Sequence, residues 1–168
     1  FSSRKNIENT IPVIGVYNVN NEGINSDMYT KGSNLLQSIR KSMNDDDKFR
    51  KILRGLNETF FHSAVNTEQV ESYINANAGF DFSKVFDQYL RSTDIPTFEF
   101  YFESDGSRVN FRYAHCNDGF NLPLTLANGN EVLRLFPDTE WQNANITSKE
   151  KELMDEKLIE SMYYVNAF

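Results

Sequence analysis

The sequence predicts an α+β fold: an N-terminal bundle of about four α-helices, a small antiparallel β-sandwich-like subdomain, then a C-terminal helical tail. Three observations predict it. Up to residue 94 apolar residues recur at spacings of three and four, which is the period of one helix face. After Ile95-Pro96 they alternate, as side chains do on a strand. From residue 144 onward charged residues dominate in a helix-compatible composition. The implied segments are 1–94, 95–143 and 144–168. A chain of 168 residues that is 39% hydrophobic, with 14 Phe and 8 Tyr, has enough apolar surface for a core.

Residues 1–26 read as irregular, because Asn18, Asn20, Asn21, Gly23 and Asn25 are turn formers crowded together. The run Pro12-Val13-Ile14-Gly15-Val16-Tyr17 suits an extended segment lying on a neighbouring surface. Ser26 or Asp27 is a suitable N-cap for a first helix, with Tyr29, Gly32, Leu36, Ile39 and Met43 as its apolar stripe. Asn44-Asp45-Asp46-Asp47 ends that helix and puts negative charge at the start of the next, where the helix dipole favours it. Phe49, Ile52, Leu53, Leu56 and Phe60 form the second stripe. Val70, Tyr73 and Ile74 form a third, beginning near Thr67 and ending at Gly79. Phe82, Val85, Phe86, Tyr89 and Leu90 form the fourth. Phe98, Phe100 and Phe102 then alternate with polar neighbours, Ser104-Asp105-Gly106-Ser107 turns the chain, and Val109, Phe111 and Tyr113 return as a hairpin. Further strands are expected at Asn121–Leu126 and Glu131–Phe136, with Asn128-Gly129 as the turn signal between them. Residues 148–164 read as helix, with Leu153, Leu158 and Ile159 among many charges. No internal repeat is visible.

Composition narrows the function. The net charge is −7, with 17 Lys and Arg against 24 Asp and Glu, whereas a nucleic-acid partner calls for clustered cations. That charge is uneven: residues 1–94 hold eleven cations and twelve carboxylates, and residues 95–168 hold six and twelve. No apolar run approaches the ~18 residues of a membrane span. Residues 1–10 show neither a basic region nor an apolar core of a signal peptide, and Phe1 is not an initiator. A processed product or an excised piece is therefore expected. His62, His115 and Cys116 lack the spacing of a metal site, and no His-Glu-x-x-His occurs. Adjacent His115 and Cys116 would diverge on a strand. Asp45-Asp46-Asp47 reads as a helix cap, and Glu150, Glu152 and Glu156 as a solvated face. Asn57-Glu58-Thr59 and Asn145-Ile146-Thr147 match the glycosylation sequon, a weak signal with 20 Asn present.

One segment carries more information: Asp27-Met28-Tyr29-Thr30-Lys31-Gly32-Ser33-Asn34-Leu35-Leu36. Downstream come Ser38-Ile39-Arg40, Asp47-Lys48-Phe49, Ile52-Leu53, Thr67-Glu68-Gln69-Val70, Phe86-Asp87-Gln88-Tyr89-Leu90 and Ile95-Pro96-Thr97-Phe98. In that order they resemble the Tyr-x-Lys-Gly helix start and following segments of the M1 zinc aminopeptidases, the gluzincin class of aminopeptidase N and leukotriene A4 hydrolase. Ile11-Pro12-Val13-Ile14-Gly15 resembles the loop before that helix in bacterial members. The likeness spans about residues 11–141; residues 142–168 depart from the pattern.

The resemblance implies hydrolysis of N-terminal residues from peptides with one zinc. The family's His-Glu-x-x-His, downstream metal Glu and Gly-x-Met-x-Asn precede Tyr-x-Lys-Gly, so they would lie before Phe1. Of the family's site, only the oxyanion donor maps here, onto Tyr29. The implied picture is a C-terminal fragment of the catalytic domain plus the following β domain, inactive alone and binding no zinc itself. Its implied partners are the missing N-terminal part of the same protein and a peptide substrate. It would be a cytoplasmic or periplasmic bacterial protein. The alternative is a non-catalytic peptide- or protein-binding module derived from a peptidase. From periodicity alone, Tyr29 would be a core or boundary aromatic, Lys31 a solvated helix residue, and Gly32 a close-packing position costing ~1 kcal/mol against Ala. An excised half-domain is also expected to expose apolar surface meant for its missing partner.

Overall fold

A computed structural model of the chain describes residues 7–15 and 27–168. Ser26, Val16, Tyr17 and the Asn-rich stretch 18–25 lie outside the described residues. Helices come first, then strands, then short C-terminal helices, an α+β architecture. The first four helices are α1 (Asp27–Met43), α2 (Asp46–Thr59), α3 (Thr67–Ala78) and α4 (Ser83–Arg91). Strands β1 (Thr97–Phe102), β2 (Arg108–Ala114), β3 (Leu124–Asn128), β4 (Glu131–Leu135) and β5 (Gln142–Asn145) follow. Helices α5 (Ser148–Leu153) and α6 (Glu156–Met162) and the two-residue strand β6 (Asn166–Ala167) complete the chain.

Local chemistry sets the helix boundaries. Asn44 adopts φ 50°, and Asp45 caps α2 by accepting the Lys48 N–H at 2.8 Å. Asn66 and Gln69 form a reciprocal capping box at the start of α3, which ends at left-handed Gly79 with φ 78°. The α2 stripe is shallow: only Ile52 is fully buried, while Phe49 and Leu56 pack at the margin. Gly55 is where α2 and α3 meet closely, because a Cβ there would run into the Tyr73 hydroxyl.

The first helix differs from its expected stripe. Its buried residues are Asp27, Lys31, Asn34, Leu35, Ser38, Ile39 and Ser42, so the covered face is largely polar. Tyr29 and Leu36 point away from it and are 74% and 39% exposed. Lys31, expected in solvent, is 1% exposed. Gly32, expected to be close-packed, has no described neighbour within 4 Å of where a Cβ would stand. The physical reason is the partner of the covered face. The Ser38 hydroxyl donates to the Asn34 carbonyl one turn back, and the single Ser42 O–H lies between the Ser38 carbonyl at 2.9 Å and the nearer Pro123 carbonyl at 2.6 Å. The Tyr164 N–H donates to the Ser38 hydroxyl at 2.9 Å. A polar seam thus joins α1 to the β region and the tail.

Strands β1 and β2 form the expected antiparallel hairpin, with Thr97 opposite Ala114 and Phe102 opposite Val109. Phe98, Val109, Phe111 and Tyr113 are buried, while Phe100 and Phe102 pack against them partly covered. Strand order in the larger sheet is β5-β2-β1-β6, antiparallel except that β6 joins β1 in parallel. In the β3–β4 hairpin Asn128 pairs with Glu131, so the loop is Gly129-Asn130, not Asn128-Gly129. Gly129 has φ 60° at the first loop position, where a glycine-first two-residue turn needs it. The tail is not wholly helical. It breaks at Asp155, which caps α6, and then runs Tyr163, Tyr164 and Val165 through the core. Buried tyrosine hydroxyls find carbonyls: Tyr89 donates to Tyr164 at 2.7 Å and Tyr113 to Leu122 at 2.8 Å. The Tyr163 hydroxyl accepts the Thr125 N–H at 2.7 Å.

Candidate functional site

The segment singled out in the sequence forms nearly the first three turns of α1, and two buried ionic groups fix it. The Asp27 carboxylate accepts the N–H groups of Glu8 and Asn9 at 2.9 and 2.7 Å, holding the lead-in segment against the helix start. One turn on, the Lys31 ammonium donates to the Ser92 carbonyl at 2.7 Å, just past the end of α4. A cation is well placed at a helix C-terminus, where carbonyls lack intrahelical partners. Burial lowers the Lys31 pKa below its ordinary value, and the fields of Asp27 and Asp94 oppose that shift. The Ile14 N–H donates to the Leu90 carbonyl at 2.8 Å, so residues 7–15 also reach the end of α4.

Tyr29 stands between these two anchors, its ring exposed. It edges a groove of about 450 Å³ formed by Tyr29, Gly32 and Leu36 of α1, Val70 of α3, and Phe86 and Leu90 of α4. The lining is apolar. Its one carboxylate, Glu71, is paired with Arg91 at 2.8 Å, and Arg91 also reaches Asp87 at 3.2 Å. Chemically, the site offers a phenol O–H beside an apolar trough, with the neighbouring charges satisfied among themselves.

The other singled-out residues do not join this site. His62 is exposed with φ 53°, its ring 4.2 Å from that of Phe61. His115 falls just past β2 with φ 52°, so it is off the strand on which it was expected to oppose Cys116. Burial raises the Cys116 thiol to about 11, which disfavours the thiolate a nucleophile needs. Asn57 lies on α2 and Asn145 on β5. Among the described residues, no three of His, Cys, Asp and Glu converge as metal ligands, and no helix is long and apolar enough to cross a membrane. Sequence reasoning missed the buried Asp27 and Lys31; their i, i+4 spacing was the available signal. Compared with known proteins, the chain matches no family model and no curated sequence.

Proposed function

We propose that the chain is part of an M1-like zinc aminopeptidase, in which Tyr29 donates a hydrogen bond to the oxyanion formed as a peptide bond is hydrolysed. The supporting observation is the exposed Tyr29 phenol, carried on a turn whose flanking residues Asp27 and Lys31 are both buried and hydrogen-bonded. When the peptide carbonyl carbon becomes tetrahedral, its oxygen gains negative charge. A donor already oriented needs no reorganisation at that moment and is worth ~2.7–4 kcal/mol. The described residues do not fit a zinc site, because the only carboxylate lining the groove is engaged by Arg91 and no imidazole lies there. On this reading, the metal and its ligands belong to polypeptide outside residues 1–168, and the chain's own role is the oxyanion donor.

The test is Tyr29→Phe in the polypeptide of the complete reading frame. The expected result is a ~10²–10³-fold fall in kcat on an amino-acid anilide, with metal content and Tm unchanged. An unchanged kcat would refute the assignment. The groove itself favours a second reading, a non-catalytic module that holds an apolar peptide segment. Binding of peptides without cleavage by the complete protein would select it.

A further inference from the structure

Between the helical part and the β3–β4 hairpin lies a recess of about 200 Å³ that shares no described residue with the Tyr29 groove and is more enclosed than it. It forms where Asp45 and Lys48 at the start of α2, Ala78 and Gly79 at the end of α3, Pro123 just before β3 and Arg134 of β4 meet. Drug-sized ligands occupy pockets of about 300–1,000 Å³, so this one suits a smaller group. Its lining is mostly polar, and its charges do not cancel. Asp45, the one carboxylate among the described lining residues, is committed to the Lys48 N–H at 2.8 Å as the α2 cap. Asp46 and Asp47, next in the chain, are paired with Arg40 and Arg50. The Lys48 ammonium spends one donor on the Ala78 carbonyl at 2.7 Å and has two left. Arg134 is the informative member. Carboxylates outnumber cations in this protein by 24 to 17, and Arg40, Arg50, Arg91, Arg108 and Arg112 each pair with one. Arg134 pairs with none among the described residues; its guanidinium instead lies over the Phe136 ring, 5.0 Å from the centroid, which orients its plane.

We infer that this recess binds a phosphate group, free or as the end of a small phosphomonoester, held by Arg134 and Lys48. A guanidinium offers two parallel N–H donors that match two phosphate oxygens, and an ammonium adds a compact charge beside them. Two cations in the wall also suit the charge of about −1.5 to −2 that a phosphomonoester carries near pH 7. A carboxylate brings a single charge and is the weaker match. Because the donors come from α2 and β4, the bound group ties the helical part to the β3–β4 hairpin. The site does not depend on the role proposed for Tyr29.

The test is calorimetric titration of the complete protein with inorganic phosphate, ethyl phosphate and acetate at constant ionic strength. The expected result is phosphate binding that Arg134→Gln weakens about 10–100-fold, as the loss of a charged hydrogen-bonding partner requires. Lys48→Gln should weaken it as well. Arg134 is exposed, so its replacement spares the fold. Arg54→Gln, at an exposed arginine of α2 outside the recess, should leave binding unchanged. Ethyl phosphate bound with the same dependence on Arg134 identifies a phosphomonoester end; inorganic phosphate bound alone identifies the free ion. Binding of neither overturns the inference. So does an affinity that Arg134→Gln leaves intact, an equal loss in Arg54→Gln, or acetate bound as tightly as phosphate.

Discussion

Replacing Lys31 with Met separates what the buried ammonium contributes from what its burial costs. The side chain is 1% exposed and donates to the Ser92 carbonyl at 2.7 Å. Met keeps most of the volume but removes the donor, leaving a carbonyl at the end of α4 without its partner. A hydrogen bond from a charged group contributes about 1.5–3 kcal/mol. Taking about 2 kcal/mol, Tm falls by roughly 4–8 °C for a chain of this size. The pH dependence is the sharper readout. Burial lowers the folded-state pKa below 10.5, despite the opposing fields of Asp27 on the same helix and Asp94 beyond α4. The unfolded chain therefore binds this proton more tightly than the folded one. The burial penalty acts in full below the folded-state pKa and is relieved as pH rises toward 10.5, so wild type gains stability through that window. Met has no proton to lose. Urea unfolding at pH 8 to 10.5 should show the gap between wild type and Lys31→Met widening with pH, while Lys31→Arg, always charged, shows no such widening. A gap that stays constant or narrows would refute the buried-ammonium account.

Other outcomes follow from the same geometry. Gly55→Ala should lower stability, since the new Cβ displaces the Tyr73 ring. In a Tyr73→Ala background the same change should stabilise by about 1 kcal/mol, as calorimetry would show. Ser38→Ala removes the acceptor of the buried Tyr164 N–H and should cost about 1–3 kcal/mol in urea unfolding with an unchanged m-value. With its thiol raised to about 11, Cys116 should react with iodoacetamide at pH 8 roughly two orders of magnitude more slowly in the folded chain than in urea. Equal rates would place the thiol in a more polar setting than its burial indicates.

How much of this was legible depended on whether the deciding interactions were local. Helices α2 and α3 were readable because Asp45, Asn66 with Gln69, and Gly79 punctuate them within a few residues. The β1–β2 hairpin was readable because its inner face is aromatic and its turn short. By contrast, Gln142–Asn145 has no apolar alternation, and pairs with β2 only because that strand offers an edge. The short β6 depends on Tyr163, Tyr164 and Val165 being buried across the fold, which no local pattern encodes. At the candidate site, the motif resemblance points to Tyr29, whereas periodicity makes it a core or boundary aromatic. Its 74% exposure goes against the core alternative.

The first helix shows where periodicity misleads: of its expected stripe Ile39 and Met43 are covered, whereas Tyr29 and Leu36 are exposed. Hydrophobic spacing finds the side of a helix that needs covering, and assumes the chain itself provides the cover. In α1 the side covered by this chain is a largely polar seam, in which Asp27, Lys31, Ser38 and Ser42 meet backbone groups of residues 8–9, 92, 123 and 164. Such a seam is stable only when its partners arrive, and those partners are distant in sequence. The stripe of Tyr29, Gly32 and Leu36 is present as a stripe, but among the described residues none covers it. The two faces therefore answer to different pressures. Substitutions in the polar seam test the fold of residues 1–168, since each leaves a buried group unpaired. Substitutions in the stripe leave that fold alone and report on whatever the stripe meets, so stability and function can be separated on one helix, one face at a time.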